Sequence, residues 1–131
     1  MIVVIDYNVG NVKSVCNAFR HIGCEVELSC NPEAVKNASG IVLPGVAAFG
    51  YAINALGSLA EVIKEVALNG KPLLGICVGY QMLFETSIEY GKHNGLGLTG
   101  IIDQELLVPQ DLDFEGPRHL PWPLTPLADR P

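Results

Sequence analysis

Residues 71–89, with the sequence KPLLGICVGYQMLFETSIE, decide the fold. The apolar run at 73–76 predicts a strand of a parallel sheet that is buried on both faces. The run stops at Gly75-Ile76-Cys77-Val78-Gly79, and Met82, Leu83 and Phe84 follow as the inward side of a predicted helix. A strand, a sharp turn and a helix in this order predict an α/β fold.

The turn carries the pattern Gly-x-Cys-x-Gly, which is the cysteine form of a nucleophile elbow. Glycines on both sides let the backbone turn tightly, so that Cys77 is lifted above the sheet edge at the start of the following helix. Amide N–H groups at a helix start favour a thiolate and offer donors to an oxyanion. The alternative is that Cys77 is a small core residue, but core packing does not explain the flanking glycines.

The segment from Gly75 to Gln81, preceded by Lys71-Pro72, resembles the nucleophile segment of class I (triad-type) glutamine amidotransferases. Within them it is most similar to glutaminase subunits of imidazole glycerol phosphate synthase, a histidine-biosynthesis enzyme. The resemblance implies that Cys77 attacks the side-chain amide of glutamine. It also implies that Gln81 and Glu89 bind this substrate, Glu89 through the α-ammonium group. The implied partner is a (β/α)₈ cyclase subunit that receives the ammonia, and no cofactor is implied.

Two further segments share the resemblance. Asp6-Tyr7-Asn8-Val9-Gly10-Asn11 resembles the family's opening motif, in which glycine is common at the position of Asn8. Asparagine is the non-glycine residue that best tolerates a left-handed conformation, so we expect the turn to form. Residues 44–50, Pro-Gly-Val-Ala-Ala-Phe-Gly, resemble the oxyanion segment.

The resemblance implies an oxyanion hole made by the N–H of Val78 and one N–H from Gly45, Val46 or Ala47. The family has glycine where this chain has Ala47. If that position requires a positive φ, alanine strains the loop by about 1 kcal/mol or more. The alternative is an ordinary strand-to-helix turn.

The remaining periodicities predict strands at 2–5, 24–28 and 40–43 and helices at 12–22, 32–37 and 51–68. We expect Asn11 and Asn31 to cap the first two of these helices. We expect the last helix to break at Gly57-Ser58, where Ser58 and Glu61 form a capping box. The order βαβαβαβα predicts a doubly wound, flavodoxin-like parallel sheet with helices on both faces. Both candidate site segments then follow strands at the carboxyl edge, where such sheets bind ligands.

Composition narrows the function classes. The 131 residues are 49% hydrophobic and 17% charged, which is typical of one globular domain, and the net charge of −6 disfavours nucleic-acid and anionic-membrane binding. No signal-peptide pattern or membrane span is present, so we expect a cytoplasmic protein. The four cysteines form no C-x-x-C pair, so neither a zinc site nor a thioredoxin motif is predicted.

The end of the chain differs from the rest. Six of the nine prolines lie between Pro109 and Pro131, and we predict an α/β domain at 1–108 followed by an irregular tail at 109–131. The resembled family carries a catalytic His-x-Glu pair downstream of the cysteine, and neither His93 nor His119 begins such a pair. We therefore expect a chain truncated at its C terminus, with impaired activity.

Two other functions stay open at this point. One is a catalytically dead homologue that acts only as a binding or interaction domain. The other is a flavodoxin-like mononucleotide-binding domain, although Gly10 lacks the companion glycines of a phosphate-binding loop.

Overall fold

The computed structural model of the protein describes residues 1–99. Each of the first four strands is followed by one or two helices, and a two-stranded ribbon comes after them. The strands are β1 (Ile2–Ile5), β2 (Val26–Ser29), β3 (Gly40–Leu43), β4 (Leu73–Gly75), β5 (Thr86–Ser87) and β6 (His93–Asn94). The helices are α1 (Val12–His21), α2 (Pro32–Asn37), α3 (Phe49–Leu56), α4 (Leu59–Leu68) and α5 (Val78–Gln81).

The first four strands form one parallel sheet in the order β2-β1-β3-β4. Val4 lies beside Val42, and Leu43 lies beside Gly75. Since the strands are parallel, β1, β3 and β4 end at the same edge of the sheet. The predicted α/β class is confirmed, and the two candidate site segments start at this shared edge.

Helices cover both faces of the sheet, as a doubly wound fold requires. Successive strand residues point to opposite faces. Val4 and Val42 pack with Cys16 of α1 on one face. Val3, Ile5, Ile41 and Leu43 face the larger core, to which the helices contribute Val35, Ala52, Leu56, Leu59, Ile63 and Val66.

Side-chain caps begin α1 and α2 as the sequence predicts. The Asn11 side chain accepts from the Ser14 N–H at 3.2 Å, and the Asn31 side chain accepts from the Glu33 N–H at 2.9 Å. Such caps satisfy N–H groups that have no partner inside the helix.

The predicted helix break is confirmed, but the capping box is wrong. Gly57 separates α3 from α4 and has a φ of +55°. Ser58 itself adopts a helical backbone, with φ −64° and ψ −19°, and its side chain makes no capping hydrogen bond. A capping side chain reaches back to the helix from an extended backbone, which Ser58 does not have.

The prediction of a fully buried strand at 73–76 is also wrong. β4 ends at Gly75 and is the last strand in the order, and Leu74 is 50% exposed. Leu74 lies beside Val42, whose face is covered by α1. Leu74 does not belong to the cluster that packs under α1, and it stays half exposed.

The helix after Cys77 is much shorter than predicted, because α5 ends at Gln81. The carbonyl oxygens of residues 82–85 accept hydrogen bonds from the N–H groups of residues 95–99 instead of continuing a helix. Met82 is buried, as expected, whereas Leu83 and Phe84 are half-buried. Hydrogen bonds to a segment ten or more residues further along the chain therefore replace the local helical pattern.

Some expectations lie outside the described residues. These are the domain boundary at 108 and the irregular tail at 109–131, which includes His119. Within the part of the chain that the structure describes, no helix is long and apolar enough to cross a lipid bilayer.

Candidate active site

Cys77 stands at a strained turn between β4 and α5. Its backbone has φ +56° and ψ −121°, and the residue is exposed. The Gly79 N–H donates to the Ile76 carbonyl at 3.0 Å and closes the turn around Cys77. A non-glycine residue in this conformation costs about 1–3 kcal/mol, and such strain concentrates at functional sites. The geometry is that of a nucleophile elbow.

The two glycines around Cys77 are needed for close packing. A Cβ atom on Gly75 would lie 2.5 Å from the Tyr80 Cα, and one on Gly79 would collide with the Leu43 carbonyl oxygen. Neither glycine has a positive φ, so their torsions do not require glycine. The absence of two side chains lets α5 start directly against the ends of β3 and β4.

The 44–48 loop follows β3 and meets the elbow. The Val78 N–H donates to the Gly45 carbonyl oxygen at 3.3 Å, and the Ile76 N–H donates to the Leu43 carbonyl oxygen at 3.0 Å. Among residues 1–99 the non-glycine residues with positive φ are Asn8, Cys77 and Tyr90. Ala47 has no positive φ, so the backbone strain expected for that case is absent. Asn8 has the left-handed conformation that we expected.

The N–H of Val78, expected as an oxyanion donor, is engaged in this conformation. Its acceptor is the Gly45 carbonyl, which belongs to the same loop that was expected to supply the second donor. The Val46 side chain is 72% exposed, and Ala47 is half-buried against the core. The structure thus brings Gly45 and Val78 together, with a carbonyl oxygen facing the elbow.

Glu89 closes the far end of the same loop. Its Oε2 accepts from the Phe49 N–H at 2.9 Å, and its own N–H donates to the Ser87 Oγ at 3.2 Å. Ala48 precedes α3 and has no side chain that can cap it. A carboxylate from the ribbon therefore caps this helix, where the dipole favours negative charge.

Gln81 is the last residue of α5. Its N–H donates to the Cys77 carbonyl oxygen at 3.1 Å, and its side chain is half-buried. One turn of backbone thus separates Gln81 from Cys77, as the sequence spacing predicts.

Sequence reasoning missed Tyr7. Its ring is 6% exposed, and its hydroxyl donates to the Pro44 carbonyl oxygen at 2.5 Å. Burial, and in second place the charge of nearby Cys77, raises the pKa of Tyr7. The order of strands could have indicated the contact. Tyr7 follows β1 and Pro44 follows β3, and these strands are neighbours in the sheet.

Comparison with known proteins decides the family. The family model "Glutamine amidotransferase class-I" matches residues 3–100, which is most of the chain. The chain belongs to the class I glutamine amidotransferase family. This confirms the resemblance of the elbow segment, and the parallel sheet with helices on both faces agrees with it.

The curated relatives of this amidotransferase chain include several named imidazole glycerol phosphate synthase subunit HisH. The protein of Lacticaseibacillus casei strain BL23 is 44% identical over 124 residues, which are 93% of this chain and 58% of the relative. That of Sulfurimonas denitrificans is 49% identical over 100 residues, 75% of this chain and 48% of the relative. The chain thus spans about half the length of these relatives.

His93 is the histidine nearest to the elbow in the amidotransferase sequence. Its ring lies against Gly50, where a Cβ atom would come within 2.5 Å of the imidazole, and its Nε2 is 3.3 Å from the Tyr90 carbonyl oxygen. The ring therefore packs on the first turn of α3.

Proposed function

We propose that the chain is the glutaminase part of an imidazole glycerol phosphate synthase. It hydrolyses glutamine to glutamate and ammonia, and a cyclase subunit of the (β/α)₈ type receives the ammonia. The observation that carries the proposal is the exposed Cys77 with its positive φ, at the carboxyl edge of the sheet. The names of the relatives support the choice of synthase.

The first chemical step is attack of the Cys77 sulfur on the side-chain amide carbon of glutamine. The carbonyl oxygen becomes an oxyanion, ammonia leaves, and water hydrolyses the thioester to glutamate. The oxyanion requires N–H donors within about 3 Å, and the candidates are Val78 and one residue of the 44–48 loop.

Use of the Val78 N–H requires that its hydrogen bond to Gly45 breaks. At 3.3 Å this bond is slightly longer than the usual range for N–H···O hydrogen bonds. A net cost of about 1 kcal/mol is typical for one backbone hydrogen bond. Rotation of the peptide after Gly45 removes the carbonyl and turns the Val46 N–H toward the same space, because the two groups point in opposite directions. The engaged state is thus a resting state with an accessible alternative.

The substrate's α-amino group pairs with Glu89 in this proposal. Phe49 engages Oε2 and leaves Oε1 for an ammonium group. Hydrogen bonding to Phe49 at the start of α3 also keeps the carboxylate oriented. Gln81, one turn from Cys77, lies on the element that carries the nucleophile.

Proton transfer is the weak step. Leaving ammonia needs a proton, and a histidine oriented by a carboxylate normally supplies it. These 131 residues contain no His-x-Glu pair after Cys77, and the His93 ring packs on Gly50. Acyl transfer without one member of a triad is slower by several orders of magnitude. We therefore propose that the 131-residue chain alone turns over glutamine very slowly.

A second candidate is a catalytically inactive binding domain, which the engaged Val78 N–H favours. A mononucleotide-binding function has less support. A Cβ atom on Gly10 would come within 3.1 Å of the Gly45 Cα, so the loop after β1 is packed against protein backbone where a phosphate would need space.

Glutamate release from glutamine separates these candidates. The chain is assayed alone and with a purified cyclase subunit of imidazole glycerol phosphate synthase, with Cys77→Ala as the control. The proposal expects slow release that depends on Cys77 and rises when the cyclase binds. Glutamate release that Cys77→Ala leaves unchanged, or no release in either setting together with no covalent reaction of Cys77, contradicts it.

A further inference from the structure

Tyr7 links the end of β1 to the start of the 44–48 loop. A buried phenol needs a hydrogen-bond partner, and this one uses a backbone carbonyl of the neighbouring strand's loop. The hydroxyl of Tyr7 donates to the Pro44 carbonyl oxygen at 2.5 Å, and the residue is 6% exposed. The contact joins residues from two different motifs of the sequence.

The next residue of the loop is enclosed on several sides. A Cβ atom on Gly45 would lie 2.5 Å from the Tyr7 hydroxyl oxygen and 2.5 Å from Cγ1 of Val78. From a further direction the Gly10 backbone approaches the Gly45 Cα. Gly45 is therefore fitted between the opening motif and the elbow, and Tyr7 is the member of this set that makes a side-chain hydrogen bond to the loop.

Two successive peptide groups of the loop are held by different donors. The Pro44–Gly45 peptide is held at its carbonyl by the Tyr7 hydroxyl, and the Gly45–Val46 peptide is held at its carbonyl by the Val78 N–H at 3.3 Å. The C=O and N–H of one trans peptide point in opposite directions. Each donor therefore also sets the direction of the following N–H group.

The two bonds differ in strength. The bond from Tyr7 is short and buried, whereas the bond from Val78 is long. The Gly45–Val46 peptide is thus held more weakly than the Pro44–Gly45 peptide. The pKa of Tyr7, raised by burial and then by the charge of Cys77, keeps this phenol a donor when the sulfur is ionised.

We propose that Tyr7 is a positioning residue for the oxyanion segment. Its hydroxyl locks the Pro44–Gly45 peptide, so that freeing the Val78 N–H rotates the Gly45–Val46 peptide alone. This inference rests on the proposed glutaminase function for its purpose, but its structural part is measurable without glutamine. Loss of the hydroxyl lets both peptides rotate, and the donors of the oxyanion are then no longer prearranged.

Backbone amide exchange of the full chain tests the structural part. Tyr7→Phe removes the hydroxyl and keeps the ring, and Tyr51→Phe, at a 65% exposed tyrosine, is the matched control. In Y7F we expect the amide of Val78, which donates to the Gly45 carbonyl oxygen, to exchange about tenfold faster, while those of β1 and β3 stay within about twofold of the control. An unchanged rate at Val78, or an equal rise throughout β1 and β3, overturns the proposal.

Replacement of Tyr7 by 4-aminophenylalanine restores a donor at the same position. We expect the exchange rate of the Val78 amide to return to within about threefold of the wild type. A rate that stays as fast as in Y7F contradicts the proposal. If Y7F does not fold, the 4-aminophenylalanine chain is compared directly with the wild type, and faster exchange at Val78 despite the donor contradicts it equally.

The functional part is read from Cys77 itself. A diazo-ketone analogue of glutamine reacts through a positioned carbonyl, whereas iodoacetamide needs only an accessible sulfur. In Y7F we expect labelling of Cys77 by the analogue to fall about tenfold and labelling by iodoacetamide to stay within about twofold. Equal falls, or none, show that Tyr7 does not serve the oxyanion segment. An analogue that fails to label wild-type Cys77 counts against the glutaminase proposal, and amide exchange still decides the role of Tyr7.

Discussion

The Val78 N–H donates to the Gly45 carbonyl oxygen at 3.3 Å and joins the elbow to the loop after β3. Val78 directly follows the nucleophile candidate, and Gly45 is enclosed by Tyr7 and Val78. The conformation of the 44–48 loop therefore determines whether the Val78 N–H beside Cys77 is free to donate. Substitutions at Gly45 should therefore also change the surroundings of Cys77.

Gly45→Ala is expected to destabilise the fold by about 1–3 kcal/mol, because the added methyl group overpacks the site. Its Cβ would lie 2.5 Å from both Tyr7 and Val78. Gly40→Ala, at the start of β3, is the control, because the nearest atom to a Cβ there is 3.7 Å away. Urea unfolding of both variants gives the comparison. Equal stability of the two variants would show that Gly45 is not tightly enclosed.

Lys71→Met is expected to cost about 1–2 kcal/mol of the unfolding free energy, because the ammonium group caps the end of α2. Its Nζ donates to the carbonyl oxygens of Val35 at 3.2 Å and Ala38 at 2.6 Å, and also to that of Lys36. Lys36→Met is the control, since Lys36 forms an exposed ion pair with Glu33 that is worth about 0.5 kcal/mol. A larger loss at Lys36 than at Lys71 contradicts this account.

Most of the sheet and the position of the elbow were predictable from the sequence, because the signals are local. Apolar runs predicted β1 and β3, and Asn11 and Asn31 are caps as expected. Asn8 takes the left-handed conformation that its residue type tolerates. These features depend on the residues themselves and their nearest neighbours.

The features that the sequence did not predict depend on distant partners. The helix after Cys77 stops because residues 95–99 take the carbonyl groups that would have continued it. Tyr7 gains its role through a hydrogen bond to Pro44, across the gap between two neighbouring strands. Glu89 caps α3 from the ribbon. The hydrophobic pattern of a short stretch of sequence holds no information on hydrogen bonds between such distant residues.

Glu89 is expected to serve both the fold and the substrate. Glu89→Ala removes the cap on Phe49 and should cost about 1 kcal/mol, whereas Glu89→Gln keeps an acceptor and should cost about half of that. Both should slow labelling of Cys77 by the diazo-ketone glutamine analogue about tenfold, since both lose the charge that pairs with the α-ammonium group. Glu85→Gln, at an exposed position, is the control. If Glu89→Ala slows the labelling of Cys77 and Glu89→Gln does not, the role of Glu89 is only to cap α3.

The buried Tyr7 is expected to make the fold less stable at alkaline pH. Its pKa in the folded chain is raised, so the unfolded chain loses this proton first. The pKa of Tyr7 in the unfolded chain is about 10. The contribution of the protonated phenol to the unfolding free energy is therefore complete below that pH, and above it falls by up to about 1.4 kcal/mol per pH unit. Between about pH 9 and 11, unfolding free energies of the wild type and Tyr51→Phe should fall more steeply than that of Tyr7→Phe. Parallel curves would contradict the burial of a protonated phenol.

Covalent labelling of Cys77 by the glutamine analogue tests the central claim most directly. Cys30 is exposed as well and so serves as an internal control. Peptide mass spectrometry after timed exposure should find the diazo-ketone adduct on Cys77, not on Cys30, and excess glutamine should slow its formation. Equal labelling of both cysteines, or labelling of Cys77 that glutamine does not slow, would contradict a glutamine site at the elbow.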